Sequence, residues 1–154
     1  MPKPIILSPM EIQIAVLVGG GRMNSSLKKH SRDAHGYDGK SPWDIHIEGA
    51  AAEMAYCKAL NIYWAGTVGT FGAADVGNDV QIRSTKIKDG CLVVREADNS
   101  DQYYILVVGQ IPEFTVIGWI HGKAAKQVRW LRAPGGREAA YFIPQSELTP
   151  FEGV

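Results

Sequence analysis

Cysteine is scarce: Cys57 and Cys91 are the two thiols in 154 residues, and neither belongs to a CxxC pair or any other zinc-ligand spacing. They are expected to be buried, reduced thiols of a cytoplasmic protein. Excess charge of one sign is absent as well. Sixteen basic and 16 acidic residues cancel, with a pI near 6.9, which excludes a histone-like or polybasic chain and leaves any nucleic-acid contact to a local patch. No long apolar run occurs. The longest, residues 12–18, is interrupted by Gln13 and followed by three glycines, far short of the ~20 residues that a membrane span requires. The N-terminus has no charged n-region, apolar h-region or small-residue cleavage site, and no repeat, low-complexity tract or linker is found. What is present, 45% hydrophobic and 21% charged residues, describes one soluble domain in which a single core buries roughly two-thirds of the unfolded surface.

Ser8-Pro9-Met10-Glu11 combines an N-cap hydroxyl, a proline at the first helical position and a glutamate three residues after the cap, and so predicts a helix from Pro9. Its apolar residues reach Val18. Beyond Gly19-Gly20-Gly21 the chain becomes polar and basic; resuming the helix there costs about 1 kcal/mol per glycine relative to alanine. Residues 8–35 form this N-terminal segment, with 31–41 read as a loop. A second helix is expected over 44–61, where Gly49 and Ala50 to Ala52 supply small side chains for close approach to a sheet. Gly66, Gly69 and Gly72 lie in a β-prone run ending at Asp75, and Gly77-Asn78 suits a hairpin turn. From Asp79 the pattern alternates, with Val80, Ile82 and Ser84 opposite Gln81, Arg83 and Thr85. Strands at 79–85, 91–95, 103–108 and 114–120 predict a four-stranded meander, with Val80, Ile82, Val93, Leu106 and Ile117 buried. A short basic helix over 122–131, a turn at Pro134, a last strand at 140–143 and a tail complete the chain. Most of Tyr63, Trp64, Tyr103, Tyr104 and Trp119 are expected in the core, with Tyr103 and Tyr104 on opposite faces.

Two phosphate-binding motifs are excluded. Gly19-x-Gly21 is followed by Asn24, not by the glycine of a dinucleotide turn, and the capping box puts a helix rather than a strand before it. The 66–72 stretch lacks a GK[ST] ending. His30, His35, His46 and His121 are scattered, without HExxH or HxH, and His46 lies seven residues before Glu53, near one helical face. The informative constellation is Glu53 on its helix, Asp75 near the end of one strand, and Gln81 and Arg83 on the next. Phosphodiester hydrolysis needs carboxylates around a divalent cation and a fixed positive charge for the transition state, and these residues could converge on one point. The bland alternative makes Asp75, Asp79, Gln81 and Arg83 ordinary turn and strand residues, with Arg83 paired to an acid.

The segments Gly49-Ala50-Ala51-Ala52-Glu53, Ala74-Asp75-Val76-Gly77, Gln81-Ile82-Arg83 and Ile117-Gly118-Trp119-Ile120 resemble the PD-(D/E)XK, restriction-endonuclease-like superfamily, particularly its small phage-type proteins. The resemblance covers about residues 44–126. It implies an α/β fold, a central mixed sheet flanked by helices, with a nuclease-like core at 44–131 and a C-terminal strand and tail at 132–154. It also implies a metal-dependent DNA endonuclease using weakly bound Mg²⁺ or Mn²⁺ in the cytoplasm of a bacterial or phage-infected host. Asp75 would be the principal metal ligand, Glu53 and Gln81 auxiliary ligands, and Arg83 the phosphate clamp. Two positions depart from the pattern. Gln81 stands where an acid is usual, keeping a carbonyl oxygen but losing a charge, and Arg83 stands for lysine and cannot readily act as a base. Asp79, two residues before Gln81 on the same face, would be an auxiliary carboxylate and His46 a supporting group.

Basic residues gather at Arg22, Lys28, Lys29 and Arg32, and at Lys123, Lys126, Arg129 and Arg132. The second set has i, i+3, i+6 spacing, which on a helix makes a stripe suited to DNA phosphates; a solvated face is the alternative. The expected partners are DNA and, in a homodimer, a second copy, with no membrane. The functional alternatives are a catalytically silent DNA- or protein-binding module on the same scaffold and an accessory phage protein.

Overall fold

The computed structural model describes residues 2–29, 41–69 and 73–152. Helix α1, Pro9–Lys29, starts where its capping box dictates. The Ser8 amide donates to Glu11 Oε2 at 2.7 Å and the Glu11 amide to Ser8 Oγ at 3.2 Å, reciprocally satisfying two of the donors left open at a helix start. The helix runs through all three glycines without a break. What offsets their poor propensity is helix α2, Pro42–Leu60, which packs along it. A Cβ built on Gly19 would stand 2.5 Å from Ile47 Cα, so only glycine lets the two backbones cross this closely. Ala50, Ala51, Ala52 and Ala55 of α2 are fully buried for the same reason. Lys58 closes the far end, donating to the Ile6 carbonyl and to Glu11. The helix ends at Asn61, whose left-handed conformation (φ 54°) turns its amide back onto Lys58 O and Cys57 O.

Two sheets follow. The larger, mixed sheet has the order β1 (Ile5–Ile6), β5 (Glu113–His121), β4 (Tyr103–Gln110), β2 (Val80–Thr85), with β8 (Thr149–Pro150) also pairing to β5. β2 is parallel to β4, and β4 is antiparallel to β5. The smaller sheet is antiparallel, in the order β3 (Leu92–Arg95), β7 (Ala140–Ile143), β6 (Leu131–Arg132). One core lies between the helices and the mixed sheet, formed by the α2 alanines, Met54, Ile82, Ile105, Val107, Phe114 and Val116. A second lies between the two sheets, around Leu92, Val94, Tyr104, Leu106, Trp130, Tyr141 and Ile143.

The α/β character, the mixed sheet, the α2 helix and the strands at 80–85, 92–95, 103–110, 113–121 and 140–143 agree with the sequence reading. The meander does not. β3 leaves to pair with β7, and the parallel β2–β4 pairing closes over it. Alternation identifies strands but carries no information on which strand is the neighbour. Buried positions also shift: Ile82 and Leu106 are buried, but in β3 the fully buried residues are Leu92 and Val94, with Val93 half-buried, and Val80 and Ile117 are half-buried too. Tyr104 is buried and Tyr103 exposed on the other face, as expected, whereas Tyr63 is 87% exposed, because residues 62–69 form no strand. The supposed basic helix is divided: helix α3 covers only Gly122–Ala125, and a tight turn at Val128–Trp130 follows. The expected loop at 31–41, with His30 and His35, falls almost wholly outside the described residues. No described helix is long and apolar enough to cross a membrane.

Candidate functional site

Glu53 is the one charged residue among the described residues that is buried, at 5% exposure. Its place on α2 turns it away from solvent and toward α1. There the guanidinium of Arg22 grips the carboxylate with both arms, Nη1 to Oε2 at 2.6 Å and Nη2 to Oε1 at 2.9 Å, a bidentate geometry that only arginine provides. The third direction of the fork, Nε, donates to the Thr67 carbonyl at 2.9 Å. Trp64 adds its indole N–H to Glu53 Oε1 at 3.2 Å. Both carboxylate oxygens are therefore engaged, and the guanidinium is held from two sides.

Asp75 sits on a turn rather than a strand. Val76 and Val80 exchange backbone hydrogen bonds across Gly77, whose φ of 58° makes the turn possible, and the Asp75 amide donates to Val80 O. The side chain then reaches along the outer side of β2, the edge strand of its sheet, and Oδ2 accepts the Ile82 amide at 2.8 Å. Capping an open edge is a structural task in itself. Burial, and next the Glu53 charge, push the Asp75 carboxyl up to about 6, against the opposing pull of the Ile82 amide and of Arg83 and Arg22. Although burial works against its charge, Arg22 is held above its ordinary value by Glu53 and Asp75.

Gln81 and Arg83 alternate with Ile82 and face the second core. The Gln81 amide nitrogen donates to Ala73 O (3.1 Å) and to Gln102 Oε1 (3.0 Å). Arg83 lies over the Tyr104 ring, 5.1 Å from its centroid, and pairs with Asp98 Oδ2 at 3.1 Å. An acid partner for Arg83 is what the bland reading anticipated, without naming which acid. Glu53 and Arg22 lie on the helix side of the sheet and Gln81 and Arg83 on the other, with Asp75 at the edge strand, held by the Ile82 amide and felt by the charges of both groups. Of the auxiliary residues, Asp79 is exposed in the turn before β2, and half-buried His46 lies near the α1 crossing, its carbonyl facing Gly19.

With these pairings in place, the described side chains offer a divalent cation few free oxygens. Glu53 has no oxygen to spare, Gln81 brings no charge, and among the described residues no three His, Cys, Asp or Glu side chains gather where a cation could be held. Hard divalent cations need several oxygen ligands at once. Nor do the described residues form a continuous basic stripe. Lys126 is spent on the carbonyls of Glu96 and Asp98 at 2.8 and 2.6 Å, Arg129 stacks on Trp130, and Trp130 is buried. Lys123 and Lys28 are exposed, Lys123 near Asp101, and the side chain of Lys29 lies outside the described residues. Cys57 is buried, which pushes its thiol up to about 11, and Cys91 is half-buried; neither is paired. A separate shallow cleft, about 110 Å³ and lined in part by Asp44, Glu48 and Lys86, lies at the opposite end of β2 from Asp75.

Four side-chain partners are new relative to the sequence reading: Arg22, grouped there with DNA-binding residues, Trp64, Asp98 and Gln102. A signal for Arg22 exists, since Gly19 and Arg22 are three apart and therefore on neighbouring helical faces. It becomes readable only once α2 is known to be the surface against which Gly19 packs. Comparison with protein-family models, with curated proteins and with solved structures gives no match to this chain.

Proposed function

We propose that the chain is a catalytically silent, nucleic-acid-binding module on a nuclease-like scaffold. The observation that carries this is the buried Arg22–Glu53 pair. The carboxylate that phosphodiester hydrolysis would spend on a cation is neutralised by the protein's own guanidinium. Gln81 and Arg83, the other two departures from a hydrolytic set, are likewise satisfied by Gln102 and Asp98. The nucleic-acid part rests on the four resembling segments and on exposed Lys28 and Lys123. The test is fluorescence anisotropy with linear, nicked and branched DNA over a salt series, run beside a cleavage assay with Mg²⁺ and with Mn²⁺. Salt-sensitive binding without cleavage is the expected result. Cleavage abolished by Asp75→Ala overturns the silence, and absence of binding at low salt overturns the nucleic-acid assignment.

One observation favours a second reading, a metal-dependent DNA endonuclease. Asp75 and Glu53 are like charges close enough for one to raise the proton affinity of the other, and a divalent cation is one way to relieve such repulsion. In that case any cleavage requires high Mg²⁺ or Mn²⁺, because the site is poor in negative charge. The double change Gln81→Glu with Arg83→Lys separates the two: cleavage by the double variant alone marks the natural chain as silent.

A further inference from the structure

We propose that Arg22 is the resident cation of the Glu53–Asp75 pair, so that helix α1 decides whether this site accepts a divalent ion. The silent reading says that the site does not work; this names the residue that closes it. Arg22 does more than make a surface pair. Its side chain is only 18% exposed and that of Glu53 7%, and all three nitrogens of the fork have fixed acceptors, two on Glu53 and one on Thr67. Trp64 holds the carboxylate in the orientation the fork requires. The charge is delivered beside a place where α1 and α2 touch backbone to backbone, at Gly19 and Ile47. Arg22 lies one turn further along α1, so its position follows the crossing rather than a flexible loop. A guanidinium so placed supplies the positive charge that a metal would, and it repels a divalent ion from Asp75. With Arg22 removed, Glu53 recovers Oε2, while Oε1 still accepts from Trp64, and Asp75 offers the oxygen not given to Ile82.

Arg22→Gln tests this, with Mn²⁺ as the probe. Binding is read by titration calorimetry, and the folded state by circular dichroism and its melting temperature with and without Mn²⁺. Wild type should bind Mn²⁺ weakly and gain no thermal stability from it. Arg22→Gln should bind at least about tenfold tighter, the least expected from removing a unit charge near a divalent ion even at the dielectric of water. Its melting temperature should rise with Mn²⁺, and the added change Glu53→Gln should erase both effects. A folded Arg22→Gln that binds Mn²⁺ no better than wild type overturns the proposal, as does tight Mn²⁺ binding by wild type. Should Arg22→Gln not fold, Arg22→Lys decides. Lysine keeps the unit charge, so weak, wild-type-like Mn²⁺ binding by Arg22→Lys supports the proposal, and binding about tenfold tighter than wild type refutes it. These outcomes separate from the functional reading. DNA cleavage by wild type refutes silence whatever Arg22 does, and Mn²⁺ binding without cleavage by Arg22→Gln leaves Arg22 as the resident cation and places the remaining defect at Gln81 and Arg83.

Discussion

Adding one methyl group at Gly19 and the same methyl at Gly20 should move stability in opposite directions. Both residues lie inside α1, and replacing a helical glycine with alanine contributes about 1 kcal/mol through backbone entropy. The surroundings decide the rest. At Gly20 the nearest atom to a new Cβ is a ring carbon of Trp43 at 3.9 Å, an ordinary contact, so the gain stands. At Gly19 the Cβ would lie 2.5 Å from Ile47 Cα, 2.8 Å from its nitrogen and 2.9 Å from His46 O, all backbone atoms of α2 that no rotamer change can remove. Overpacking costs about 1–3 kcal/mol where side chains adjust and more where a backbone must shift, so Gly19→Ala should lose about 2 kcal/mol net. For a domain of this size that corresponds to a melting temperature roughly 4–8 °C lower, against 2–4 °C higher for Gly20→Ala. Urea unfolding of both variants beside wild type measures the difference. A separated crossing also draws Arg22 from Glu53, so Gly19→Ala should bind Mn²⁺ more tightly than wild type. If Gly19→Ala proves as stable as Gly20→Ala, the close packing of α1 on α2 is wrong, and with it the route by which Arg22 reaches the site.

Asp75→Asn should stabilise the metal-free protein at high pH. With its carboxyl raised from 3.8 to about 6, the folded state holds the proton more tightly than the unfolded one. That contribution is full below pH 3.8 and lost as pH rises through about 6, so ionised Asp75 costs on the order of 1–3 kcal/mol at pH 8. Asparagine keeps an acceptor for the Ile82 amide. The advantage of the variant, from urea unfolding in chelator, should grow between pH 4 and 8; a pH-independent difference contradicts it. Arg22→Met should cost about 3–5 kcal/mol at pH 8, as expected when one partner of a buried pair is removed, and a further Glu53→Gln should restore part of it, because the charge left behind causes most of the loss. A double-mutant cycle with coupling below about 0.5 kcal/mol would refute this. Lys123→Ala should leave stability within about 0.5 kcal/mol, being exposed, whereas Lys126→Ala should lose about 1–3 kcal/mol, since its ammonium serves the Glu96 and Asp98 carbonyls. Equal thermal shifts for the two lysines would show that the anchoring bonds carry no weight.

Local rules reached far into this chain. Ser8 and Glu11 set the start of α1, Asn61 the end of α2, alternation marked β2, and apolar β-prone runs between turn residues marked β4, β5 and β7, because caps, turns and period-2 patterns act within a few residues. The small residues of α2 also announced a close approach. Pairing was decided elsewhere. Nothing in residues 79–120 tells β2 to lie parallel to β4 while β3 turns away to β7, since any apolar strand face suits several neighbours and only the simultaneous filling of two cores selects one. The candidate site divides in the same way. Glu53, Asp75, Gln81 and Arg83 could be named from their order, but which face of the edge strand each occupies, and which partner satisfies it, depends on surfaces brought together from distant segments. Arg22 and Glu53 are 31 residues apart. Their pairing follows from the crossing of two helices at a glycine, and a bond made by two surfaces leaves no mark in the sequence of either one.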